Sequence, residues 1–266
     1  MTLKTKLVAL DIDGTLLAPG EPFDALPVQE LVDAVTSLHE KGVIVMLATG
    51  RMYPGTAPIA DHLGITEPLI CQQGASIHER DGTLREGCFI DRDIALELFD
   101  YAMEHGHSVA WFNHERYLVT ETSPEADYFA AVSGVDVVVD PRPHESGITP
   151  TGIDIVSNRE VSTDIHRLFE ARYGSRIALL DFPSVTAVHS PLASKGNALE
   201  KVAASFDFKP DEVLAVGDGI NDVSMLTWAG QSAAPAHGDA FARDSAKEVL
   251  SGEGVSGVIA RLNAVD

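Results

Sequence analysis

Four short runs of the chain are apolar almost without interruption, and each stops at a polar or glycine-bearing turn. Residues 7–10 end at Asp11, 43–48 at Thr49, 69–71 at Gln72 and 213–216 at Gly217. Runs this short and rich in Val, Ile and Leu predict strands buried on both faces, as in a parallel sheet covered by helices. Between the first two, Val28, Leu31, Val32, Val35 and Leu38 lay one apolar stripe along residues 28–40, closed by Lys41-Gly42. Further helices are expected over 56–63, from Lys195 through Phe206, around Met225 and Leu226, and over 240–246 and 254–262, with a short strand at 232–234. Strand, helix, strand in this order is a doubly wound α/β arrangement, which brings the carboxyl ends of its strands to one edge of the sheet.

The middle of the chain has another rhythm. Alternation around Asp81-Gly82 marks a hairpin. Beyond it, helices are expected at 94–105 and 162–173, with strands at 108–112, 117–120, 135–139, 152–156 and 177–180. This α+β composition predicts a mostly antiparallel sheet with two covering helices, inserted as a second domain at residues 85–186. The core is then made of residues 1–84 and 187–266.

Composition narrows the function. At 266 residues and 45% hydrophobic, the chain can bury the core of one α/β domain with an insert. Its formal charge of −21 repels nucleic acid and anionic lipid. No apolar run reaches the length of a membrane helix or a signal-peptide core, so a cytoplasmic protein with no membrane partner is expected, as a monomer or homodimer. Cys71 and Cys88 sit in strand-like sequence and read as buried free thiols.

The strand ends carry the candidate chemistry. Asp11 and Asp13 would bring two carboxylates into one small volume, which is unfavourable unless a cation or a shared proton relieves them. A calcium loop fails on spacing, because its sixth and twelfth positions would be Leu16 and Pro22. Gly217-Asp218-Gly219 after a strand resembles a dinucleotide fingerprint, but Asp222 occupies the third glycine's place and would repel a pyrophosphate. Asp11, Asp218 and Asp222 instead make a hard oxygen donor set of the kind that suits Mg2+.

Asp11-Ile12-Asp13-Gly14-Thr15, Thr49-Gly50-Arg51, Lys195-Gly196 and Gly217-Asp218-Gly219-Ile220-Asn221-Asp222 together resemble the four motifs of the haloacid dehalogenase-like (HAD) superfamily. The layout is most similar to its Cof-type, class IIB phosphatases: no extra domain fits between Asp11 and Thr49, whereas one does between Thr49 and Lys195. The resemblance implies a Rossmann-like core with an inserted α+β cap of the C2 kind. It implies a phosphatase of small phosphorylated metabolites, sugar phosphates being the expected class, with Asp11 as nucleophile and Asp13 as general acid and base. Mg2+ would be held by Asp11, Asp218, Asp222 and the Asp13 carbonyl, and Gly14, Thr49, Gly50, Lys195 and Asn221 would serve the phosphate. Two alternatives share these residues, a phosphotransferase or mutase and a non-catalytic binding protein. The chain departs from the family at Gln73-Gly74, where Asn-Gly is usual, and at His237-Gly238-Asp239-Ala240, where Met-Gly-Asn-Ala is usual. For substrate contacts the candidates are Arg51 and a polar-aromatic cluster at an expected cap hairpin, Trp111, Asn113 and Arg116.

Overall fold

A computed structural model describes residues 4–266; residues 1–3 of the expected first core segment lie outside the described residues. The first core segment comprises β1 (Leu7–Leu10), α1 (Gln29–Glu40), β2 (Ile44–Leu47), α2 (Tyr53–His62), β3 (Leu69–Cys71), β4 (Ser76–His78) and β5 (Leu84–Gly87). The insert follows with α3 (Arg92–Glu104), β6 (Ser108–Phe112), β7 (Tyr117–Val119), α4 (Pro124–Ser133), β8 (Val138–Val139), β9 (Gly152–Val156), α5 (Arg159–Tyr173), β10 (Ala178–Phe182) and β11 (Val185–His189). The chain returns through α6 (Lys195–Ser205), β12 (Val213–Val216), α7 (Val223–Trp228), β13 (Gln231–Ala234), α8 (Ala240–Ser245), β14 (Glu248–Val249) and α9 (Ser256–Asn263).

The core sheet is parallel, in the order β14-β13-β12-β1-β2. A parallel bridge from Ala48 to Ile70 adds β3, from which β4 and β5 run as an antiparallel meander. Alternation along β1 explains why the run is apolar throughout. Val8 and Leu10 pack with residues of α1, α2 and α9, while Leu7 and Ala9 pack with α6, α7 and α8. Each Val or Leu side chain so buried contributes about 1.5–3 kcal/mol, and neither face of the strand is left to water.

The cap sheet has the order β10-β11-β9-β6-β7-β8, antiparallel except for the β7–β8 pair. One face, with Val109, Trp111, Ile153, Ile155 and Val188, is sealed by α3 and α5. The other turns towards the core and is covered in part by α4, through Ala126 and Ala130 against Ala110, Phe112, Tyr117 and Val119.

Three features differ from the sequence expectation. The cap has three helices, not two, because α4 forms where a connection was expected. Its start and stop are written locally: the Ser123 hydroxyl accepts from Ala126 N–H at 3.1 Å, Pro124 occupies the first turn, and Gly134 ends the helix at φ +64°. The strand expected at 135–139 is reduced to Val138–Val139, both exposed. Finally, β11 crosses the expected boundary at residue 186, pairing with β9 and β10 from Val185 to His189, so the cap sheet extends to His189.

Among the described residues, two of the contacts between cap and core are hydrogen-bonded. At the first, α4 meets α2: Met52 N–H donates to Ser133 Oγ at 3.2 Å, and a Cβ at Gly55 would lie 2.2 Å from the Val132 carbonyl oxygen. At the second, the Gln72 amide donates to the Asn113 carbonyl at 2.8 Å and accepts from the Thr151 hydroxyl at 3.2 Å. Among the described residues no helix is long and apolar enough to cross a membrane.

Candidate active site

A cavity of about 530 Å³ lies between core and cap, and Asp11, Asp13, Gly50, Arg51, Gln73 and Asn221 form its core wall. Asp11 follows directly on β1, and its backbone N–H continues the ladder by donating to the Val216 carbonyl at 3.0 Å. The chain then turns sharply: the N–H groups of Thr15, Leu16 and Leu17 all donate to the Ile12 carbonyl. Gly14 sits at the crest with φ +83°, where a Cβ would come within 2.1 Å of Asp218 Oδ2. Only glycine lets this turn lie against the β12 loop.

Lys195 is the charge at the centre. Seated in the first turn of α6 and fully buried, it donates to Asp11 Oδ1 and Asp222 Oδ1, each at 2.6 Å. The other Asp222 oxygen accepts from the N–H groups of Asp218 and Gly219, both at 2.9 Å. Asp222 is therefore spent on bracing the loop. Asp218 is braced again from its own side by Thr15 Oγ1 at 3.2 Å. Asp11, Asp218 and Asp222 can bring one oxygen each within 4.8 Å of one another.

Three carboxylates around one lysine leave excess negative charge. Burial, then Asp222, raises the Asp11 carboxyl well above its ordinary range, although Lys195 pulls the other way. Burial and Asp222 likewise push Asp218 up to about 6. Burial disfavours the charged form of Lys195, but Asp11 and Asp222 outweigh it and raise the lysine's pKa. The site thus fits a hard divalent cation: it has oxygen donors, and ions of charge two would relieve what one lysine cannot.

The remaining expected residues divide. Arg51 lines the cavity and forks onto Asp13, with Nη2 to Oδ1 at 2.6 Å and Nε to Oδ2 at 2.8 Å. Thr49 is wholly buried, its hydroxyl accepting from Arg51 N–H at 3.2 Å, and it does not line the cavity. Gly50 is kept free of a side chain by Gln73, whose amide would meet a Cβ at 2.3 Å; that same side chain accepts from Asn221 at 3.0 Å.

The cap candidates are placed elsewhere. Trp111 faces the sealed side of the cap sheet and donates to the Ile148 carbonyl at 3.2 Å. Asn113 and Arg116 line a separate outer groove with Phe89 and Ile148; the Asn113 side chain closes its own turn by accepting from the N–H groups of Glu115 and Arg116. For Trp111 strand parity is the reason: Ala110 and Phe112 share the side of the sheet that turns to the core, and the residue between them cannot.

Several residues with a part in the site were not among the candidates. His237 Nε2 lies 2.7 Å from the Gly14 carbonyl. Asp239 caps α8 and also accepts from Ile220 N–H at 2.7 Å, tying the Asp218 loop down. Both belong to the stretch where the chain departs from the family pattern, which was the available hint. Gln72 and Gln73 adopt left-handed backbone angles of φ +51° and +60°, strain of the kind that persists at sites held from several sides.

A profile of the haloacid dehalogenase-like hydrolase family matches residues 8–262. Over 243 residues the chain is 28% identical to a putative phosphatase of Haemophilus influenzae, covering 87% of this chain and 85% of that one. It is 29% identical to a phosphoglycolate phosphatase of Halorubrum lacusprofundi, covering 96% of each. A haloalkanoate-superfamily phosphatase structure from Bacteroides thetaiotaomicron superposes with a TM-score of 0.81 at 25% identity, covering 98% of this chain and 95% of that one. With motif residues, fold and relatives in agreement, the chain belongs to the haloacid dehalogenase-like hydrolases, in their Cof-type phosphatase branch.

Proposed function

We propose that this phosphatase is Mg2+-dependent, acts on small phosphorylated metabolites and passes the phosphoryl group through Asp11. The observation that carries this reading is the set of three carboxylates around the single buried Lys195, opening onto a cavity closed by the cap. Asp11 and Asp218 would hold the metal with the Asp13 carbonyl, Asp222 bracing from behind. When bound, Mg2+ supplies positive charge to the phosphoryl oxygens and to the carboxylates.

The steps follow from which oxygens are free. Asp11 Oδ1 is held by Lys195. Oδ2 is left to form a bond to phosphorus while the ester P–O bond breaks. The departing oxygen takes its proton from Asp13, which Arg51 positions at the cavity wall. In the second displacement Asp13 accepts a proton from water, the water oxygen bonds to phosphorus, and the Asp11–phosphorus bond breaks. Lys195 favours the ionised form of the nucleophile against its burial and orients it throughout, and the cap excludes bulk water from the transfer.

Hydrolysis of para-nitrophenyl phosphate, with Mg2+ and with chelator, tests this. Turnover is expected with Mg2+ alone, at background in Asp11→Asn, and lowered about 10²–10⁴-fold in Asp13→Asn. Undiminished turnover by a folded Asp11→Asn protein would exclude Asp11 as the nucleophile.

A further inference from the structure

Glu125 and His189 apart, the cap side of the cavity is mostly apolar and aromatic: Phe112, Tyr117 and Phe129 form one cluster, with ring centroids 5.0–5.6 Å apart, and Val156, Phe182 and Val185 extend it. Into this surface the middle of β9 places one carboxyl. Asp154 is 8% exposed, lines the cavity, and has no hydrogen-bond or ion-pair partner among the described residues. Beside it lies the Tyr117 hydroxyl, equally without a partner. Burial alone pushes the Asp154 carboxyl up to about 7, and burial followed by Asp154 raises the Tyr117 hydroxyl, so Asp154 lies near enough to act on it. A buried carboxyl with no partner is costly, and nothing in the cap's own packing uses it.

The wall also shows what it rejects. Among the described residues Arg51 is the one Lys or Arg side chain lining the cavity, and it is engaged with Asp13. His189 is held neutral, burial lowering it to about 4 despite its hydrogen bond to Thr151. A leaving group with a second phosphate or a carboxylate finds no cation there. A bare polyol would leave the hydroxyls that face these rings and aliphatic groups without partners.

Resting on the phosphatase reading above, we infer that Asp154 selects the leaving group: the preferred substrate is a phosphate ester of an alcohol carrying an aromatic ring with an amino group. The ring packs against Phe112, Phe129 and Phe182, the N–H donates to Asp154, and the Tyr117 hydroxyl is free to pair with a polar atom beside it. Asp154 touches no reacting atom; it sets specificity.

Matched esters test this: benzyl phosphate, para-(aminomethyl)benzyl phosphate, a hexose monophosphate and a hexose bisphosphate, with Mg2+. The amino ester is expected to exceed benzyl phosphate and both hexose esters in kcat/KM by about tenfold or more, the worth of one charge-assisted hydrogen bond. In Asp154→Leu the ratio of amino to plain ester should fall to about one, and in the isosteric Asp154→Asn to an intermediate value. A higher kcat/KM for either hexose ester, or a ratio unchanged in Asp154→Leu, overturns the inference. Calorimetric titration with para-(aminomethyl)benzyl alcohol separates the two readings, since it needs no turnover. Binding weakened about tenfold by Asp154→Leu supports the specificity role even if no ester is hydrolysed, and binding equal in both proteins overturns it.

Discussion

Charge placed out of water decides most of what single residues do here. Lys195 and Asp222 are both fully buried, and each is tolerated because the other is 2.6 Å away. Asp154 has no such partner, and stability should register it. Its carboxyl titrates near 7 in the folded chain, against about 3.9 when unfolded. Between those values the native state holds a proton that the unfolded chain has released, so stability falls as pH rises, and the full penalty is present above the folded value. The stability of Asp154→Asn relative to the wild type should therefore grow by on the order of 2–4 kcal/mol from pH 4 to pH 8 and then level off. Urea unfolding of both proteins across that range checks it; a pH-independent difference would mean that Asp154 is ionised and paired. Asp11, Asp13, Lys195, Asp218 and Asp222 were legible in the sequence because each follows a strand end or opens a helix, a position readable from the local pattern. Asp154 was not, since a lone Asp inside an alternating strand says nothing of what its face will meet.

At the scale of elements, the core's strands and helices follow from periodicity because both faces of every central strand are covered. The insert was less legible. Its helix α4 is short and rich in alanine, so no apolar stripe announces it, and only the Ser123-Pro124 start and the Gly134 stop mark its ends. Yet α4 sets how closely the cap approaches. Gly55 and Gly134 let the ends of α2 and α4 touch through backbone atoms. In Gly55→Ala the new methyl would collide with the Val132 carbonyl, forcing the helices apart at about 1–3 kcal/mol. A lower unfolding midpoint is expected, together with a raised KM for para-nitrophenyl phosphate, as the cap no longer seats. Unchanged KM and stability would show that the cap closes without this contact. Strand parity, by contrast, could have been applied from the sequence: in β6 it separates Phe112, which lines the cavity, from Trp111, which the cluster of polar and aromatic residues had favoured.

For the whole molecule, the carboxylate cluster lies where β1 and β12 meet the first turns of α6 and α7, so anything that neutralises it stabilises both halves of the core. Mg2+ at about a hundred times its dissociation constant should add about 2.7 kcal/mol. For a chain of this size that is a rise of roughly 5–10 °C in the unfolding midpoint. In Asp218→Asn most of the rise should vanish, and an equal rise in both proteins would place the ion elsewhere.

The central claim is that phosphorus changes partners twice, first to Asp11 and then to water. The configuration of the thiophosphate released from a phosphorothioate ester made chiral at phosphorus with two oxygen isotopes, hydrolysed in water labelled with the third, reads this directly. Two in-line displacements give net retention, which is the result predicted. Net inversion would mean that water attacks the substrate itself, and that Asp11 never carries the phosphoryl group.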